Sequence, residues 1–162
     1  MARMKRTVVK ARPSKSIARH PIRGRIGGTY TFRFGGFARG PDERPYHIVG
    51  VGQLKLTAGG KLVGAHRSTI AALSGKGPAT LQHSIYALTG DYAVRSDGSA
   101  TTTVFFHRGG DPNVPPNLMD RFEIVMAGGP DRLWFVSTGP QLWPSGAPVD
   151  ELVSVEVIRS PH

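Results

Sequence analysis

Beyond Gly28 the chain alternates apolar and polar residues with a period of two, in segments separated by Gly, Pro and Asp. Thr29–Ala38 places Tyr30, Phe32 and Phe34 on one face. Tyr46–Ala58 sets Ile48, Leu54 and Leu56 against Gln53 and Lys55. Lys61–Leu73 gathers Leu62, His66, Ser68 and Ile70 opposite Lys61 and Arg67. Ala79–Ser96, Ser99–Arg108, Met119–Ala127, Arg132–Thr138 and Val149–Arg159 continue the series. Successive strand side chains point to opposite faces, so this alternation, rich in Val, Ile, Thr and aromatics, predicts half-buried strands. No segment sustains a 3.6-residue period with caps, and no long helix is predicted.

The connections fall into two kinds. Gly59-Gly60, Asp97-Gly98 and Gly128-Gly129-Pro130-Asp131 read as tight hairpin turns, where Gly supplies the positive φ of primed turns. Arg39–Pro45, Ser74–Pro78, Gly109–Leu118 and Gly139–Pro148 are long and rich in Pro, Gly and polar residues. With Ala79–Ser96 taken as one strand bulged at Gly90, there are eight strands, and long and tight connections alternate strictly. In an antiparallel meander, alternate connections lie at opposite ends. The expectation is an all-β fold: an eight-stranded antiparallel up-and-down barrel with a loop-decorated mouth and a closed floor. It spans residues 26–162 behind a tail of residues 1–25. Gly52 with Gly59-Gly60 and Gly90 with Asp97-Gly98 repeat one spacing, which marks a hairpin preference and no solenoid.

The segments GTYTFRF (Gly28–Phe34), GQLKLTAGGKLVG (Gly52–Gly64), GDYAVRSDGSATTTVFF (Gly90–Phe106) and RFEIVMAGGPDRLWFVST (Arg121–Thr138) resemble a bacterial group of small barrels. That group looks like the allene oxide cyclase barrel, a relative in shape of lipocalins. The resemblance covers most of Gly28–Arg159 and rests on turn-and-strand patterns. It implies an apolar lumen that binds small hydrophobic molecules; some members catalyse cofactor-free cyclisation or isomerisation. The plant enzyme type pairs a buried carboxylate with a Cys. This chain has no Cys, so that pairing does not transfer, and no motif places a catalytic residue.

Charge changes the picture at one place. Of 21 Lys and Arg in the 162 residues, nine lie in the first 25, which hold no acid; the rest of the chain is close to balanced. A balanced body does not track a phosphate backbone over a broad face. The tail reads as a solvated, disordered leader, as an arm for a polyanion or an anionic membrane surface, or as a lid over the mouth. The lack of Cys excludes disulfides, thiolate metal sites and a thiol nucleophile. Apolar runs are short, so no membrane span or signal peptide is expected, and the cytoplasm is the default compartment. Gly50-Val51-Gly52 has no following helix, which argues against a dinucleotide site; no cofactor is expected.

The lumen face gathers Tyr30, Phe32, Phe34, Ile48, Leu54, Leu56, Leu62, Ile70, Phe122, Ile124 and Met126. A filled core and a ligand cavity are both compatible with it, and four long loops at one end favour the cavity. His47, His83 and His107 fall at strand ends nearest the mouth, with His66 deeper. Three imidazoles suit zinc, but no HxH or HExxH spacing occurs and alternation turns His47 outward, so no metal site is expected. His66, Glu156 and Tyr86 are the catalytic candidates: Glu156 against His66 or a Tyr in an apolar lumen becomes an acid of raised pKa. Against this, Val153, Val155 and Val157 form the better core face, which turns Glu156 outward. The expected ligand contacts are Tyr30, Phe32, Phe34, Ile48, Ser68, His83, Tyr92, Phe122 and Trp143. Trp143 reads as a lid residue or an anchor of its own loop, and Trp134 as core. These residues point to a small hydrophobic-ligand barrel, either a carrier or a cofactor-free isomerase or cyclase. The alternative is a non-enzymatic interaction module whose tail recruits a polyanion or a protein. Outward valines and aromatics also suit a homo-oligomer.

Overall fold

Nine strands form one antiparallel sheet: β1 Gly28–Arg39, β2 Pro45–Leu56, β3 Lys61–Ala72, β4 Thr80–Val94, β5 Ala100–Arg108, β6 Leu118–Met126, β7 Arg132–Ser137, β8 Gln141–Leu142 and β9 Pro148–Arg159. The computed structural model describes residues 26–39, 45–72, 80–127, 129–138, 141–142 and 148–161. The tail of residues 1–25 and Trp143 lie outside them. Each strand from β1 to β6 pairs with the next, β7 pairs with β9, and β1 with β9 closes the ring. Two-residue β8 bridges β6 and β9, taking up the position β7 leaves after Ser137. The result is the expected closed eight-stranded barrel, with a short strand inside what the sequence presented as the loop Gly139–Pro148.

Alternation sorts the side chains. Tyr30 and Phe32 of β1, Leu54 and Leu56 of β2, Leu62 of β3, Leu88 of β4 and Val104 of β5 are buried inside. Phe122 and Ile124 of β6, Leu133 and Phe135 of β7, and Val153, Val155 and Val157 of β9 complete the core. Trp134 corrects the expectation of a core residue. It shares the outward parity of Glu156, its direct neighbour on β9, because Leu133 and Phe135 take the inward positions.

The expected bulge at Gly90 is absent. The β3–β4 and β4–β5 registers run through it without a slip, Leu62 opposite Gly90 and Gly90 opposite Val104. A Cβ on Gly90 would come within 2.2 Å of the Thr103 carbonyl oxygen, so close approach of the β5 backbone explains the residue.

Tight turns close one end. Gly60 and Gly98 sit at φ +81° and +93°, values that L side chains resist. The Asp97 carboxylate caps its turn by accepting from the Ser99 N–H and hydroxyl. Across this floor lie Ile26 and Tyr30, both almost fully buried. The Tyr30 hydroxyl lies 2.8 Å from the Ile26 carbonyl oxygen and 3.1 Å from that of Pro130, and accepts from Arg159 Nη2 at 3.0 Å. Arg159 stacks on the Tyr30 ring, donates to the Gly27 carbonyl and pairs with Asp131. Tyr92 donates to the Thr57 carbonyl beside it. The Tyr30, Tyr92 and Arg159 side chains of this plug are thus all engaged.

The long connections leave the opposite end. One of them, residues 109–117, departs from the expected crown and leans over the outer wall of β4 and β5. Its anchor is His107, which points outward and is buried by the loop. His107 Nδ1 lies 2.7 Å from the Val114 carbonyl and so must donate. Nε2 then accepts from the Thr89 hydroxyl at 2.8 Å.

Candidate functional site

Above the packed lower half, the lumen changes character. Phe34, Ile48, Ile70, Phe106 and Leu118 are inward by register, yet each keeps partial exposure. Phe34, Ile48 and Phe106 still pack against the core, so the lumen loosens toward the strand ends that the long connections leave and forms a shallow cup there.

His66 lies at the base of this cup, 5% exposed. β3 carries it inward between Leu62 and Ser68, directly opposite Gly52 of β2 and Tyr86 of β4. Its ring is boxed by four aromatics. Tyr86 stacks at 5.0 Å and 11°, Phe34 and Phe106 meet it edge-on at 5.2 and 5.8 Å, and Phe32 lies at 6.4 Å. β2 makes room for the box. A Cβ on Gly50 would fall 2.3 Å from the Phe34 ring, and one on Gly52 would fall 2.5 Å from Phe32. The rings therefore lie on bare backbone.

Neither nitrogen of His66 has a hydrogen-bond partner, and the Ser68 hydroxyl beside it has none either. Desolvation pulls the imidazole pKa down to about 4. The ring is neutral at neutral pH, with one N–H to donate and one nitrogen to accept. An unpaired buried polar group costs about 1–3 kcal/mol.

A second polar group escaped the sequence reading. Asp120 of β6 is fully buried and inward. Its Oδ1 accepts from the Arg121 N–H at 2.6 Å and the Ser137 hydroxyl at 3.0 Å, while Oδ2 has no partner. Burial pushes its pKa up to about 6, against the pull of the two hydrogen bonds. Extending the parity of Phe122 and Ile124 by one pair would have found it.

The other expected site residues divide. Phe32, Phe34, Tyr86, Ser68 and Ile48 join His66 in and around the cup. Tyr30, Tyr92 and Phe122 are inside the barrel but belong to its packed lower half. His83 corrects its assignment: it points outward, exposed, with Nδ1 3.0 Å from the Thr69 hydroxyl, because Ser84 and Tyr86 take the inward parity. Glu156 is likewise outside. The valine face won, and Glu156 is sealed between Arg132 and Arg33, the latter 2.6 Å away. Those two guanidiniums hold its carboxyl below the usual range. The lumen contact with His66 or a Tyr does not form. His47 stacks outside on Phe37 at 5.1 Å. Among the described residues, no three His, Cys, Asp or Glu side chains gather as a metal site would require.

No protein-family model matches the chain, and no curated protein matches it. Among solved structures, that of Rv2717c from M. tuberculosis is similar at 15% identity and a TM-score of 0.40, over 88% of this chain and 99% of that one. The barrel assignment rests on the strand ladders, and the allene oxide cyclase resemblance reaches no further than that architecture.

Proposed function

We propose that the barrel binds a small hydrophobic molecule bearing a hydrogen-bonding group, seated in the cup with that group at His66 and Ser68. One observation carries the reading: a neutral imidazole, 5% exposed and boxed by aromatic rings, has both nitrogens unpartnered beneath half-exposed apolar walls. Apolar walls with a few placed polar groups are the general form of a small-molecule site. A carrier needs nothing more.

Titration of the full chain with N-phenyl-1-naphthylamine, a neutral apolar fluorophore with one N–H, tests the site. One molecule per barrel is expected. His66→Phe and Ser68→Ala should each weaken binding by about tenfold, the worth of one buried hydrogen bond. Binding indifferent to both changes, or no saturable binding, overturns the reading.

A further inference from the structure

The outer surface has two unlike walls. On β1–β4 the outward positions include five cations, Arg33, Arg39, Lys55, Lys61 and Arg67. Among the described residues, Asp91 is the one outward acid on these strands, and it is paired with Lys61 at 2.5 Å. Apolar side chains are exposed on the same wall: Val51 is 62% exposed, Leu81 60% and Phe37 57%. On β5–β7 and β9 the described charges balance, with Arg121 and Arg132 against Glu123 and Glu156.

The centre of the first wall is a straight row. Arg33, Val51, Arg67 and Ile85 are direct cross-strand neighbours on β1, β2, β3 and β4. Shallow grooves of about 650 and 630 Å³ flank it, and all four residues line both. Arg33 is tied to Glu156, whereas Arg67 has no ion-pair or hydrogen-bond partner among the described residues.

Charge decides what this wall meets. The tail of this chain is itself cationic, so repulsion argues against its return here. A second copy offers either the same cationic wall or a balanced one, and neither is complementary. In the central row Val51 stands between Arg33 and Arg67, and Ile85 beside Arg67, so apolar and cationic contacts are offered side by side. The interface of an anionic bilayer accepts both kinds: aliphatics enter the headgroup–acyl boundary while Lys and Arg reach the phosphates.

We propose that the β1–β4 wall docks on an anionic lipid bilayer, with Val51 and Ile85 entering the interface and Arg67 and Arg33 contacting lipid phosphates. The nine cations of residues 1–25 add to the same attraction. This inference is independent of the lumen site.

Flotation of the full chain with vesicles tests it, using pure phosphatidylcholine and phosphatidylcholine with about a third phosphatidylglycerol. Binding is expected to the second only. Arg67→Glu reverses one charge and should weaken partitioning about five- to thirtyfold, at about 1 kcal/mol per charge near the surface; Val51→Asp should act in the same direction. The chain has no Cys, so Val51→Cys accepts a single nitrobenzoxadiazole label, whose emission should shift to the blue on anionic vesicles. Three results overturn the proposal. One is unchanged partitioning of both wall variants, which leaves the tail as the sole anchor. Another is capture by heparin with no vesicle binding, which marks a polyanion. The third is a blue-shifted label without vesicles together with a multimer by light scattering, which marks a protein interface.

Discussion

The lower and upper halves of the lumen are built from the same strands with the same inward register, yet they treat polar groups in opposite ways. At the floor, the Tyr30 hydroxyl, the Tyr92 hydroxyl and the Arg159 guanidinium are all engaged. Elsewhere inside the barrel, His66 and the Ser68 hydroxyl at the cup and one oxygen of Asp120 on β6 are buried without partners among the described residues. Buried polarity that is satisfied rigidifies a fold; left unsatisfied it weakens the fold, and such groups concentrate where something else must bind. The contrast separates side chains that tie the floor together from side chains that leave hydrogen bonds unmade.

The largest effect should come from breaking the floor. Tyr30→Ala removes a fully buried ring and its hydrogen bonds, and should cost about 3–5 kcal/mol in denaturant unfolding. A loss below about 1 kcal/mol would show that the plug does not hold the ring of strands together.

Next come two opposed pH dependences in the upper half. His66 titrates at about 4 in the folded chain, below its ordinary 6.5. The unfolded chain therefore binds the extra proton over that window, and stability from this group falls as pH drops from 6.5 to 4. Asp120 keeps its proton up to about 6 instead of 3.8. Its contribution is fully present below pH 3.8 and is lost as pH rises to 6. Each amounts to about 2–3 kcal/mol, and they offset one another. Relative to the parent, His66→Phe should therefore lose stability as pH rises between 4 and 6, and Asp120→Asn should lose it as pH falls. Parallel curves for parent and both variants would remove the case for buried titrating groups.

The smallest effect is also the most diagnostic. At pH 7, His66→Phe should raise stability by about 1 kcal/mol, because a box of rings then closes on an apolar ring with no polar atom left unpaired. A merely structural histidine would give the reverse sign. The Tyr30 and Tyr92 rings of the floor offer no such gain, since each hydroxyl there has its partner.

Much of the frame was legible because local rules set it. Turn chemistry at Gly60 and Gly98 and the alternation of Phe32, Phe34, His66 and Ser68 fixed the hairpins and the inner face before any long-range information was needed. Cross-strand register was not legible. Only pairing shows that Gly50 and Gly52 face Phe34 and Phe32, and so explains two glycines in one strand. Glu156 shows another limit: parity sends it outward, but its burial comes from Arg33 and Arg132, more than 100 and more than 20 residues distant. Gly90 read as a bulge because a lone strand glycine has two causes, and a close backbone is invisible until β5 is in place. Asp120 lies within reach of the alternation rule, two residues before Phe122 on the same face.

Closure of the ring by β1 and β9 sets how the barrel answers a mechanical load. β1 starts and β9 ends at the floor, as antiparallel neighbours, with the Ser160 N–H bonded to the Thr29 carbonyl there. A pull between those two points would open the seam bond by bond, as a zipper, and would not shear the ladder all at once. The first link to carry that tension is the Arg159 clamp on Tyr30 and Gly27.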